Sequence, residues 1–190
     1  MDIQKQLFSG AKVCLGPIDY ENDPQIISTW SHDPEYLRLV DVKPAMPISA
    51  GRAKKQVEAL ELEMEQSKTL FYFTIRARED DRLLGFAEIR WIEWSHGSGW
   101  VRLGIGERQE RHKGYGSEAL GLLLRYAFHE LNFYRLSAEI AGYNLAARRL
   151  FEKAGFTEEV KRRLAVSRDG RGWDVHIYGL LSQEWAGGAG

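Results

Sequence analysis

Apolar positions in this chain recur in two rhythms. Val57, Leu60 and Met64 repeat at helical spacing, with Glu58, Glu61, Glu63 and Glu65 on the opposite side, which predicts a helix from Ser49, its N-cap, to Gln66. Leu120, Leu123, Leu124, Ala127, Phe128 and Leu131 do the same and predict a long amphipathic helix over Gly114–Leu131. A third helix, Asn144–Ala154, has Asn144 as its N-cap and Gly155 in the stop position. Ile26, Ile27 and Trp30 mark a short one ending before Pro34. Extended, aromatic-rich or β-branched runs alternate with these helices. They are Val13–Ile18, Leu70–Ala77, Leu83–Trp94, Trp100 to near Gly106, Arg135–Ala141, Phe156–Ser167 and Trp173–Leu181. The charged run Arg78–Arg82 joins the second and third as a hairpin. Residues 34–47 carry three prolines and little periodicity and read as a loop. The order β-α-α-β-β-β-α-β-α-β-β predicts an α+β, three-layer fold: a mixed, mostly antiparallel sheet with helices on both faces.

No repeat or composition break divides the 190 residues, so one domain is expected over residues 1–185, with 186–190 as a mobile tail. A formal net charge of -1 removes any whole-molecule attraction to nucleic acid. The lone Cys14 excludes an internal disulfide and fits a reducing compartment. Without a long uncharged apolar run or a signal-peptide pattern, no membrane partner and a cytoplasmic location are expected. His32, His96, His112, His129 and His176 are scattered without ligand spacing, so no metal is expected.

The most chemically loaded stretch is Arg111-His112-Lys113-Gly114-Tyr115-Gly116-Ser117, set between a strand and the long helix. A helix start exposes unpaired N–H groups and the positive end of its dipole, which together seat an anion. Gly114 and Gly116 let the backbone approach phosphate oxygens without a Cβ in the way. Arg111, His112 and Lys113 would add positive charge around a pyrophosphate. A P-loop is excluded because Lys113 precedes its glycine. A dinucleotide fingerprint is excluded because Ala119 stands where the third glycine belongs.

Arg111-x-x-Gly114-x-Gly116, followed by Asn144-x-x-Ala147-x-x-Leu150-Phe151-Glu152-Lys153-x-Gly155-Phe156, resembles the signature pair of the GNAT superfamily of acyl-CoA-dependent N-acetyltransferases. The closing run Asp169–Leu181 is similar to the branch holding ribosomal-protein alanine N-acetyltransferases and spermidine acetyltransferases. The resemblance implies acetyl-CoA as cosubstrate, no metal, and a sheet whose strands splay apart where CoA binds. It implies that Leu103, Gly104 and Ile105 pair with the pantetheine arm, that an amide at Ile105 stabilises the oxyanion, and that Arg111–Ser117 hold the pyrophosphate. Asn144, Ala147 and Phe151 would line the same cofactor. Phe151 stands where many members carry the tyrosine that protonates the leaving thiolate, so the thiolate leaves unassisted or Tyr115 or Tyr143 substitutes. Arg102 replaces the strand glutamate often used as base, leaving Glu88 as first choice, with Glu93, Glu139, His96 and Asp174 as alternatives. The expected acceptor is a protein N-terminus, alternatively a polyamine or other small amine. A non-catalytic acyl-CoA-binding module is the rival reading. The branch also admits a homodimer.

Overall fold

The structure, a computed structural model, describes residues 6–185; the tail expected at 186–190 lies outside them. The elements are β1 (Val13–Gly16), α1 (Asp23–Trp30), α2 (Pro34–Val40), α3 (Ala50–Ser67), β2 (Leu70–Ala77), β3 (Leu83–Glu93) and β4 (Ser98–Ile105). They continue with α4 (Tyr115–Arg125), β5 (Arg135–Ala141), α5 (Leu145–Lys153), β6 (Thr157–Arg168) and β7 (Arg171–Leu181). The strands form one sheet in the order β1-β2-β3-β4-β5-β7-β6, antiparallel except between β4 and β5. Helices cover both faces, as the element order requires. Most of the core lies under α4 and α5, where Leu120, Leu123 and Phe151 meet Ile89, Leu136 and Leu180. A second cluster, Trp30, Tyr36 and Leu83, seats α1 and α2.

Residues 34–40 correct the expectation of a loop: they form α2. Pro34 occupies the first turn, where a missing N–H costs nothing, and the Asp33 side chain accepts from the Glu35 amide at 2.9 Å. At the other long helix, the amphipathic pattern runs through, but the backbone widens into a π-turn at Tyr126–Glu130 after α4 ends.

Two irregularities in the sheet shape the site. First, β4 pairs with β5 only at Ser98–Arg135, Gly99–Leu136 and Trp100–Ser137; beyond Trp100 the two strands part. Secondly, β3 is bulged between Arg90 and Glu93, and Trp91 takes φ 51°, a left-handed conformation unusual for a tryptophan.

Candidate active site

The parting of β4 from β5 leaves one side of β4 unpaired. The Gly106 amide donates back to the Leu84 carbonyl at 2.9 Å, so by strand alternation the main-chain groups of Ile105 and Leu103 point the other way, into the gap. The Arg111 Nε donates to the Ile105 carbonyl from that side at 3.3 Å, and the Ile105 amide has no strand partner because pairing with β5 ends at Trp100.

Directly beyond the gap lies the start of α4. The chain reaches it through His112 at φ 63° and Gly114 at φ 91°. Gly114 is the N-cap and offers no side chain to the helix, so the first-turn amides are left open. Among the described residues, no protein acceptor takes the amides of residues 112–117. At Gly116 a Cβ would stand 3.8–3.9 Å from Ile105, Leu150 and Leu103, which is the space of the cavity itself. Behind the loop, Lys12 Nζ donates to the Lys113 carbonyl at 3.0 Å. The Glu118 carboxylate, one turn into α4, accepts from the backbone of Ala11, Lys12 and Val13 at 2.7–2.9 Å.

The loop and the gap enclose a cavity of about 770 Å³. Of the residues singled out from sequence, Leu103, Gly104, Ile105, Arg111, His112, Gly114, Gly116, Ser117, Asn144 and Ala147 all line it. Lys113 and Tyr115 do not; Lys113 Nζ is held by Glu110 at 3.0 Å, an ion pair that keeps the Glu110 carboxyl below its ordinary range. Arg111 reaches the wall but turns its guanidinium away from the amides. It pairs with Asp33 and Glu35 at 3.2 Å and bonds the Gly106 carbonyl at 2.9 Å. It therefore ties α2 to the end of β4 instead of adding charge to an anion seat. Asn144 caps α5 through its side-chain oxygen on the Ala147 amide at 3.0 Å and holds the Leu39 carbonyl with its amide at 2.9 Å. Thus α2, unseen in the sequence, forms the cover of the gap.

A second cavity, about 260 Å³, shares Leu39, Val40, Leu103, Asn144 and Ala147 with the first. Phe151 closes its inner end, 96% buried and edge-on to Phe156 at 5.0 Å. Of the two tyrosines considered as thiolate donors, Tyr143 lines the larger cavity but gives its hydroxyl proton to the Arg38 carbonyl at 2.8 Å.

Glu88, the first-choice base, lies 1% exposed and lines neither cavity. Its Oε1 receives Arg102 Nε at 2.8 Å and sits 3.2 Å from Arg90. A carboxylate holding two guanidiniums is poorly placed to take a proton. Glu93 accepts from Ser98, His96 is exposed beyond the end of β3, and Asp174 is held by Lys161 at 2.9 Å. Of the five candidates, Glu139 alone lines either of these two cavities, the smaller one, with Arg162 at 3.5 Å; Asp174 lines a separate pocket beside Lys161 and Leu164. Among the described residues, no group of three or more His, Cys, Asp or Glu side chains could hold a metal. No helix among the described residues is long and apolar enough to cross a membrane.

A sheet parted at its one parallel join, with open amides at the mouth of the following helix, defines a GNAT-type fold. The acetyltransferase (GNAT) domain profile matches residues 12–157, and the chain belongs to that family of acyl-CoA-dependent N-acetyltransferases. The uncharacterized N-acetyltransferase p20 of Bacillus licheniformis is 28% identical over 93% of this chain and 96% of its own length. The structure of spermidine N-acetyltransferase from Vibrio cholerae, in complex with CoA and spermine, is similar with a TM-score of 0.77 at 20% identity, covering 92% and 98% of the two chains. A ribosomal L7/L12 alpha-N-protein acetyltransferase in complex with coenzyme A is similar with a TM-score of 0.78 at 17% identity, covering 90% and 95%.

Proposed function

We propose that the protein transfers acetyl from acetyl-CoA to the amino terminus of a polypeptide, by direct attack within the β4–β5 gap. The observation that carries this reading is the continuity of three features: open amides at residues 112–117, the unpaired edge at Leu103 and Ile105, and the smaller cavity beyond them. The diphosphate of acetyl-CoA would sit on the helix-start amides, and Gly116 leaves the room it needs. The pantetheine arm would run along β4, bonding the Ile105 amide and the Leu103 carbonyl as a neighbouring strand would. This delivers the thioester to the junction of the two cavities.

The chemistry asked of the protein is small. The neutral amine nitrogen attacks the thioester carbonyl carbon, the carbonyl oxygen takes negative charge, and the C–S bond then breaks to release CoA thiolate. The Leu103 amide, which faces the gap where the two cavities meet, is the donor for that oxygen, since Ile105 lines the larger cavity alone. One such donor typically contributes about 3–4 kcal/mol. A thiolate leaves without help more readily than an alkoxide, since a thiol has a pKa of about 8.5, so Phe151 costs less than its chemistry suggests. We assign acceptance of the amine proton to Glu139 through water, because it is the candidate carboxylate facing the cavity. Glu88 acts beneath it, fixing Arg102 and Arg90.

A peptide acceptor is favoured over a polyamine by the wall of the smaller cavity, where Arg38, Lys43, Arg90 and Arg102 outnumber Asp41 and Glu139. A polycation gains little there. The test is turnover: acetyl-CoA with a panel of peptides and with spermidine, following free thiol. Acetylated peptide amino termini support the proposal. Turnover restricted to spermidine, or CoA binding without turnover on any amine, overturns it.

A further inference from the structure

Arg90 stands at the wall of the smaller cavity with one ion pair and most of its hydrogen-bonding capacity unused. Its one carboxylate neighbour is Glu88 at 3.2 Å, and Glu88 gives its closer contact to Arg102 at 2.8 Å. Arg102 has a second carboxylate, Asp41, at 3.3 Å; Arg90 has none. Among the described residues Arg90 donates no side-chain hydrogen bond, and its Nε is buried without an acceptor. A buried donor left open calls for a partner. The remaining charges do not supply it, because Arg38 is paired with Asp169 and Glu139 with Arg162.

The local backbone is built to hold this guanidinium in place. The bulge in β3 begins at Arg90, and Trp91 at φ 51° swings out to 62% exposure. Its ring then lies 4.9 Å from the Arg90 guanidinium carbon and edge-on to Trp100 at 5.9 Å. Bulges of this kind re-aim side chains beside active sites, and strain at such a residue persists only where the surroundings enforce it. Stacking fixes the plane of the guanidinium while leaving its edge free for a planar anion.

Resting on the proposed acetylation of peptide amino termini, we propose that Arg90 selects acceptors bearing a carboxylate close to the reacting amine, an acidic residue in the first few positions of the polypeptide. The carboxylate pairs with the Arg90 edge while the amine points toward Leu103, where the two cavities meet. Trp91 and Trp100 flank the peptide at the rim. The same chemistry is offered by the α-carboxylate of a free amino acid, so that source is included in the test.

The experiment compares kcat/KM for matched short peptides with Glu, Gln or Lys at the second and third positions, alongside free amino acids, for the native protein and for Arg90→Gln and Arg90→Lys. The acidic peptides are expected to exceed their Gln counterparts by about tenfold to a hundredfold, the worth of a charge-assisted hydrogen bond. Arg90→Gln should bring that ratio near one and Arg90→Lys should restore part of it, a pattern that a merely structural role would not give. Equal use of Glu and Gln peptides by the native protein overturns Arg90 selectivity and leaves N-terminal acetylation standing. Preference for free amino acids over all peptides places the carboxylate on a small acceptor and overturns the polypeptide assignment. If no amine is turned over, calorimetric binding of the same peptides to the CoA-loaded protein decides by the same ratio.

Discussion

At the scale of single residues, Gly116 carries the sharpest prediction. A Cβ there meets only ordinary contacts at 3.8–3.9 Å, and an aspartate in the first turn of a helix favours the dipole. Gly116→Asp should therefore fold with undiminished melting temperature. It places a carboxylate against the open amides, so the stabilisation by CoA, about 2.7 kcal/mol at a hundred times the dissociation constant, should vanish. Parallel melting scans of the two proteins with and without CoA check this. Glu139 carries the second prediction. If it takes the proton through water, Glu139→Gln should lower kcat by roughly tenfold to a hundredfold at neutral pH while KM for acetyl-CoA changes little. Loss of both together would instead indicate a disturbed cavity.

At the scale of elements, α2 shows where sequence reading fails and why. Its seven residues are too short for periodicity to register, and Pro34, with Pro44 and Pro47 following, suggests irregularity. The signal that was present is the Asp33-Pro34 start, a capping acid followed by the residue best tolerated in a first turn. By contrast α4 and its loop were legible, because the glycines and the helical stripe each state their purpose locally. The clasp between α2 and α5 depends on Asn144, whose side chain serves both helices at once. Asn144→Ala should cost about 1 kcal/mol for the cap alone and more for the abandoned Leu39 carbonyl, read by denaturant unfolding. The β6–β7 hairpin supplies a pH prediction. The Leu164 amide and then Lys161 hold the Asp174 carboxyl below its ordinary range. Its contribution is therefore present above the unfolded carboxylate value of about 3.9 and fades only as pH falls through the depressed folded value. Exchange protection of the Leu164 amide should stay level from neutral pH down to about 4 and decline below it.

At the scale of the whole molecule, the succession of strands along the chain and both helical layers were legible because most strands and helices are patterned locally. The order of strands in the sheet came only with the structure. The parting of β4 from β5 was not visible in the residues themselves and entered through family resemblance. The roles of Glu88, Arg111 and Arg90 were opaque for a related reason. All three are charged residues whose partners, Arg102, Asp33, Glu35 and Trp91, are fixed by register, a bulge and an unforeseen helix. Sequence shows that a charge exists; only the assembled sheet shows whether it is already neutralised.

The carboxylate that gathers Ala11, Lys12 and Val13 onto the first turn of α4 joins the early chain to the catalytic half of the molecule. With Lys12 also bracing the Lys113 carbonyl, this early segment works as a buttress for the loop proposed to seat the nucleotide. Trimming the protein through Val13, or fusing a rigid partner directly at Gly10, would then be registered as weakened grip on CoA as well as a softer β1. The two ends of that coupling are separated by more than a hundred residues of sequence and by three hydrogen bonds in space.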